Sequence, residues 1–290
     1  MTATSPVPEL QVAPVLAPSQ GVWHEVRAIK VVWKRDLIRF RNERARIFSS
    51  LMQPLLFLFV LGKGLAAVVP TTGGTDYSTF LFPGVLITGV MFTAVFSAIS
   101  IVWDREFGFL REMLVAPVRR SSIVIGKCLG SATIATFQGI MILTLAGLAH
   151  IPYHPMLLAG GVVLTFLVAF TVTAFGLVLA VRVQSVQTVM PVMQLLLTPL
   201  MFLSGSLFPI GGNIPVWLAI VTKLNPLSYG VDATRTLFFS FLPPGATGGA
   251  LVGGITWFGW LVPVWLSVAI VLVTGLVLLT VACFLFSKTE

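Results

Sequence analysis

Six stretches of this chain are apolar for long enough to cross a bilayer. They cover residues 47–67, 80–102, 123–149, 157–181, 186–208 and 262–286. Each meets the roughly 20 residues that a membrane-spanning helix needs. None contains an aspartate or a glutamate. The pattern predicts an all-α, polytopic membrane protein with six transmembrane helices. Lys63 and Lys127 fall near the ends of their runs, where a long side chain can reach the headgroups.

The segments between the runs carry different periods. Over residues 22–46, Val22, Val26, Ile29, Trp33, Leu37 and Phe40 recur at spacings of three and four, so they share one helical face. Basic residues occupy much of the remainder, and the segment stands directly before a span. This predicts an amphipathic helix lying in the membrane interface, against anionic lipid. Residues 1–21 hold Pro6, Pro8, Pro14 and Pro18 without an apolar run, and read as a disordered cytoplasmic tail. Residues 287–290 are a short cytoplasmic C-terminus.

Residues 103–122 form the one inner loop rich in charge. A helix is predicted from Asp104 to about Val115, stopped by Pro117. Arg105, Glu106, Arg111 and Glu112 keep it out of lipid, and Asp104 and Glu106 suit a solvated loop. Phe107, Phe109 and Leu110 give it apolar surface, a combination suited to docking on another protein. Between the last two runs, Pro209, Gly211, Gly212 and Pro215 break any helix, and Asn225-Pro226 breaks it again. Asp232 and Arg235, three apart, can pair on one helical face. Counting residues 210–240 as a seventh span would bury that pair. They are therefore expected to form re-entrant or interfacial helices on the outer side.

Composition sharpens this picture. The chain is 57% hydrophobic and 10% charged, with mean hydropathy +0.99. A soluble fold of 290 residues could not hide so much apolar surface. The net charge is +8. With the N-terminus inside, 15 of the 18 lysines and arginines fall in inner segments; only Lys63, Lys223 and Arg235 fall outside. That asymmetry puts both termini in the cytoplasm. It also accounts for the basicity without a nucleic-acid partner. Cys128 and Cys283 sit in apolar runs and read as small packing residues.

Chemistry-bearing motifs are scarce. Lys127 follows a glycine but no phosphate-binding loop precedes it, because Ser121 stands where the leading glycine would fall. No metal-ligand cluster, nucleophile elbow or paired carboxylate is legible. The runs also lack the ionisable residues that proton- or sodium-driven pumps place in the membrane. Pro191 and Pro199 favour bends in the fifth run. With Gln187, Gln194, Thr198 and Ser204, that run could line a translocation path suited to a lipophilic or weakly polar substrate. A stand-alone channel, a secondary transporter, a lipid-acting membrane enzyme and a non-transporting sensor subunit are the alternatives.

Three stretches carry a resemblance. One is the inner loop with Arg105-Glu106, Arg111-Glu112, Pro117, Arg119 and Gly126-Lys127. Another is Pro199 to Gly205 with Phe208-Pro209. The third is Asn225-Pro226-Leu227-Ser228-Tyr229 with Asp232 and Arg235. In this order the chain resembles the ABC type-2 transporter permeases, particularly the daunorubicin-resistance-like branch of bacterial drug and lipid exporters. The resemblance implies a permease subunit in the bacterial plasma membrane that pairs with a second permease chain, identical or paralogous. Each would dock on an ATPase subunit that holds ATP and magnesium. The segment from Arg105 to Arg119 would be the ATPase-coupling element. Asn225, Pro226, Tyr229, Asp232 and Arg235 would form the outer gate.

Overall fold

The computed structural model describes residues 21–64, 77–110, 113, 118–183, 185–208, 215–242, 254–257 and 259–289. Residues 1–20 of the tail expected over 1–21, and Arg111, Glu112 and Pro117 of the expected coupling element, lie outside them.

Nine helices are present among the described residues, and the protein is an all-α polytopic membrane protein. Helix α1 covers Val22–Asn42. Helices α2 (Arg44–Lys63), α3 (Tyr77–Glu106), α4 (Arg120–Leu143) and α5 (Pro155–Arg182) are each long and apolar enough to cross a bilayer. Helix α6 is shorter, Val186–Phe202. Two short helices, α7 (Val216–Leu224) and α8 (Pro226–Phe239), precede the last long one, α9 (Val264–Thr289). Six helices therefore match the six apolar runs. A hairpin of two-residue strands, Thr256–Trp257 and Trp260–Leu261, turns through Gly259 at φ +84° just before α9.

Three boundaries depart from the sequence reading for local reasons. Pro54 lacks an amide for the helical ladder, and α2 widens into π turns over Phe57–Lys63. Helix α4 stops at Leu143, short of 149. The Tyr153 hydroxyl donates to Thr144 O at 2.6 Å, and the Leu148 N–H turns instead to Leu145 O in a 3₁₀ turn. At the other end, the loop helix expected from Asp104 to Val115 is not continuous: α3 runs on from its span through Trp103 to Glu106, and a turn at Phe107 and Gly108 ends it.

Helices α3, α4 and α5 pack on one another and form the buried centre; α9 covers α5, and α1 covers α4. Helices α2 and α9 are only 17% buried over their apolar windows, so most of their surface faces away from the bundle. Without a hydrophobic drive between helices inside a bilayer, close packing holds them together, and small residues set the contacts. A Cβ at Gly139 would stand 2.4 Å from the Thr165 methyl, and one at Gly126 would stand 2.9 Å from Val32 Cβ.

The contacts also fix direction. Arg46, Pro54 and Gly62 of α2 meet Ser97, Gly89 and Ser78 of α3, so these helices are antiparallel. Arg120 at the start of α4 reaches Ser287 O at the end of α9. Both ends of the described chain therefore share one end of the bundle, the terminal end. Helix α1 does not stop there. It climbs along α4 from Glu25, beside Ser122, to Phe40, beside Phe137, a rise of about 22 Å.

Candidate functional site

The predicted coupling residues gather at the terminal end, where α3 stops. Arg105 donates to Val181 O at 3.2 Å and Val183 O at 3.0 Å, covering carbonyls that the last turn of α5 leaves open. The neighbouring Glu106 carboxylate accepts the Val186 N–H at 3.0 Å, at the positive start of α6. Two consecutive side chains thus clamp the α5–α6 turn from both sides. Leu110 is buried, whereas Phe107 and Phe109 are 62% and 49% exposed. Trp103 stacks on Phe107 with ring centroids 5.5 Å apart, and Gly108 takes φ +80° between the two exposed phenylalanines. Arg119 is the N-cap of α4, and its side chain is largely exposed. Its N–H donates to Glu25, which also accepts from the Ser122 hydroxyl at 2.5 Å. The Ser122 hydroxyl and Arg119 hold the Glu25 carboxyl below the usual carboxylate range.

Behind this clamp lies a cluster that the sequence did not announce. Asp104 is 1% exposed, not solvated, and Lys127 is 1% exposed rather than reaching for headgroups. The Lys127 ammonium sits 2.9 Å from Asp36, 2.5 Å from Asp104 and 3.2 Å from the Ser100 hydroxyl. Arg35 meets Asp104 at 3.1 Å and also reaches the Met113 sulfur at 3.2 Å. Burial pushes the Asp36 carboxyl up, and the adjacent Lys127 opposes that shift. The available signal was the sequence of α1 itself. Val32, Asp36 and Phe40 stand four apart and are its buried residues, so its packed face includes an acid.

Above the cluster a cavity of about 520 Å³ opens between α1, α2, α3 and α4, with Asp36, Arg39, Glu43, Arg46, Gln53 and Gln138 among its walls. Its charges are already paired: Glu43 meets Arg39 at 3.3 Å and Arg46 at 3.0 Å. Thr93 bonds Gln138, which donates to Ser50 O at 2.8 Å.

The predicted path residues divide. Gln187, Gln194 and Thr198 lie on one open face of α6 with Pro191, and Gln194 donates to the Thr198 hydroxyl at 3.3 Å. Ser204 stands apart, fully buried, donating to Met201 O at 2.6 Å inside the turn that ends α6.

The predicted gate residues come together at the other end. Asn225 caps α8 by accepting from the Leu227 N–H at 3.0 Å, with Pro226 in the first helical position. Its amide also donates to Leu200 O of α6 at 2.8 Å. Gly230 packs on Val168, midway along α5; farther along, Leu237 and Phe238 pack on Gly160 and Gly161, near the start of α5. The α7–α8 hairpin therefore enters to about half depth and returns, as non-spanning backbone can where protein covers it. The Tyr229 hydroxyl donates to Lys223 O at 2.8 Å and accepts from Trp257 at 3.0 Å. Arg235 is 4% exposed, donates to Gly205 O at 2.9 Å and lies 4.1 Å above the Phe80 ring. The expected pair with Asp232 does not close: Asp232 is also buried, at 6%, but it stays outside ion-pair distance of Arg235 and takes the Ile255 backbone N–H instead. Asn225→Ala should lower the unfolding free energy by about 1 kcal/mol for the cap alone. Asn225→Asp, which keeps the accepting oxygen, should recover part of that loss in a thermal-unfolding series in detergent.

Comparison with known proteins adds an independent line. The sequence pattern of the ABC-2 type transporter family matches residues 27–239. Nodulation protein J of Rhizobium leguminosarum bv. trifolii is 30% identical over 210 residues, covering 71% of this chain and 79% of that one. Transport permease ycf38 of Pyropia yezoensis is 30% identical over 222 residues, covering 74% of this chain and 75% of its own. Nodulation protein J of Neorhizobium galegae is 28% identical over 220 residues, covering 74% and 83%.

Proposed function

The chain belongs to the ABC-2 type transporter family, and we propose from this premise that it moves a lipophilic or weakly polar substrate outward with ATP hydrolysed by a separate subunit. That it is a membrane permease of an ABC transporter follows from the family; direction, substrate class and the coupling contact are our reading. In this reading the terminal end is cytoplasmic, because 15 of the 18 basic residues fall on that side. The membrane is the bacterial plasma membrane. Two permease chains pair, and the open face of α6 with Gln187, Gln194 and Thr198 meets the path between them. The exposed part of α1, including Val22, Trp23 and Val26, rests in the interface. The α7–α8 hairpin closes the outer side.

One observation carries the coupling assignment. Phe107 and Phe109 stand exposed on a turn whose two ends are anchored, by Arg105 and Glu106 on one side and by buried Leu110 on the other. A rigid, water-exposed aromatic pair on a basic cytoplasmic face suits a protein cleft, and buried aromatic anchors dominate binding energies. A push from an ATPase can do work on the bundle only through a contact that differs between its nucleotide states.

The test is co-purification with the ATPase encoded in a neighbouring reading frame. Phe107→Ser with Phe109→Ser should weaken association on the order of tenfold or more while the chain still inserts in the membrane. Undiminished association would remove this contact from the proposal. Solute flux through the chain reconstituted alone would overturn the exporter reading.

A further inference from the structure

We infer that Lys127 is a positioning residue. It ties Asp36 of α1 to Asp104 at the base of the coupling segment, so that a displacement of that segment is delivered to α1 and to the cavity wall beyond it. The inference rests on the exporter reading of the preceding subsection.

The geometry supports it in three steps. The link is buried: the Lys127, Asp104 and Asp36 side chains are 1%, 1% and 6% exposed. The ammonium has an acid on either side, at 2.9 Å and 2.5 Å, and these acids belong to different helices. A buried charge that loses its partner is costly, so the three helices are obliged to keep the contact as they move.

The helices are also held too closely for Lys127 to find other partners. Gly126 and Gly130 flank it on α4. A Cβ at Gly126 would stand 3.0 Å from Ile29 O, and one at Gly130 would stand 3.1 Å from Asp36 Cβ. The side chain lies in the seam that this approach creates, with Ser100 of α3 as its third partner.

The triad is connected at both ends. Toward the coupling segment, Arg35 meets Asp104, contacts Met113 and lies 5.8 Å from the centre of the Phe109 ring. Toward the cavity, Arg39 lies 3.7 Å from Asp104 and 3.3 Å from Glu43, and Glu43 meets Arg46 of α2. Arg46 in turn donates to Ser97 of α3 at 3.2 Å. A chain of charge contacts thus leads from an exposed phenylalanine of the coupling segment to the walls of the 520 Å³ cavity. Contiguity alone does not establish transmission; a measured response at the far end does.

The experiment uses the permease–ATPase complex in lipid, with Cys128→Ala and Cys283→Ala as background. Spin labels are placed at Ser49 on α2, in the cavity wall, and at Thr280 on α9. Vanadate trapping with ATP should shift the Ser49–Thr280 distance in the background protein. In Lys127→Met the shift should be lost while ATPase association and ATP hydrolysis persist. Because Lys127→Met leaves two buried acids, the neutral combination Asp36→Asn, Asp104→Asn, Lys127→Met is measured beside it. It should fold and bind ATPase, and it should also lack the shift.

A shift of background size in either variant would overturn the inference. So would a neutral triple variant that no longer binds ATPase, because the triad would then build the docking end instead of transmitting from it. A background complex that binds ATPase and hydrolyses ATP without any shift at Ser49 overturns this inference alone. Failure of the background chain to bind any ATPase overturns the exporter reading instead.

Discussion

Replacing Gly84 with alanine is expected to abolish accumulation of folded chain. The added methyl would stand 2.0 Å from Ser206 O, 2.7 Å from its carbonyl carbon and 2.8 Å from its Cα. These are backbone atoms, so no rotamer change relieves the clash. Nor can the Ser206 segment step aside. Ser206 donates to Met201 O, Arg235 holds Gly205 O, and the Tyr77 hydroxyl holds Leu207 O at 2.8 Å. Overpacking a tight core usually costs about 1–3 kcal/mol, and more where the obstacle is pinned. We expect Gly84→Ala to exceed that range. Gly64→Ala is the control, since a methyl there meets nothing within 4 Å. Fluorescence-detected size exclusion over a temperature series would separate them, and equal melting of the two variants would refute the clash.

Arg235→Met is the second large effect. The guanidinium is buried against Phe80 and Gly205, with Asp232 close enough to attract it. Removing it leaves the buried Gly205 carbonyl without its charged donor, for which about 1–3 kcal/mol is the usual cost, and takes a nearby positive charge from the buried Asp232. Pairing it with Asp232→Asn should return part of that loss, because the orphaned charge disappears with the acid. Thermal unfolding of the two single variants and the double variant measures the cycle. A double variant no more stable than Arg235→Met would show that Asp232 and Arg235 act independently.

Some of this architecture is legible in the sequence because it depends on near neighbours. Long acid-free runs fix the spans, since a bilayer leaves a helix few other options. Asn225-Pro226 reads as a break, and the structure breaks there, between α7 and α8. The Arg105–Glu106 pair was read as charge that keeps a loop wet. Its two capping contacts depend on where α5 ends and α6 begins, some eighty residues later. The Lys127 triad was hidden for a related reason. A lysine near the end of an apolar run looks like an anchor to the headgroups, and an aspartate just past a run looks solvated. Only the approach of α1 along α4 turns Asp36, Asp104 and Lys127 into one cluster. The stripe on α1 was visible in kind but displaced in detail: Val32 and Asp36, not Val22 and Val26, face the bundle.

Helix α6 has only 17 residues, about 25 Å of rise, against roughly 30 Å of hydrocarbon. Its first turn is held by Glu106 and its last by Asn225 and Ser228. A rod shorter than the slab cannot by itself carry the chain across: its end meets the tip of the hairpin at half depth, and the hairpin fills the layer beyond. Because one end is tied to the aromatic turn and the other to the hairpin, an axial shift of α6 would pull on both.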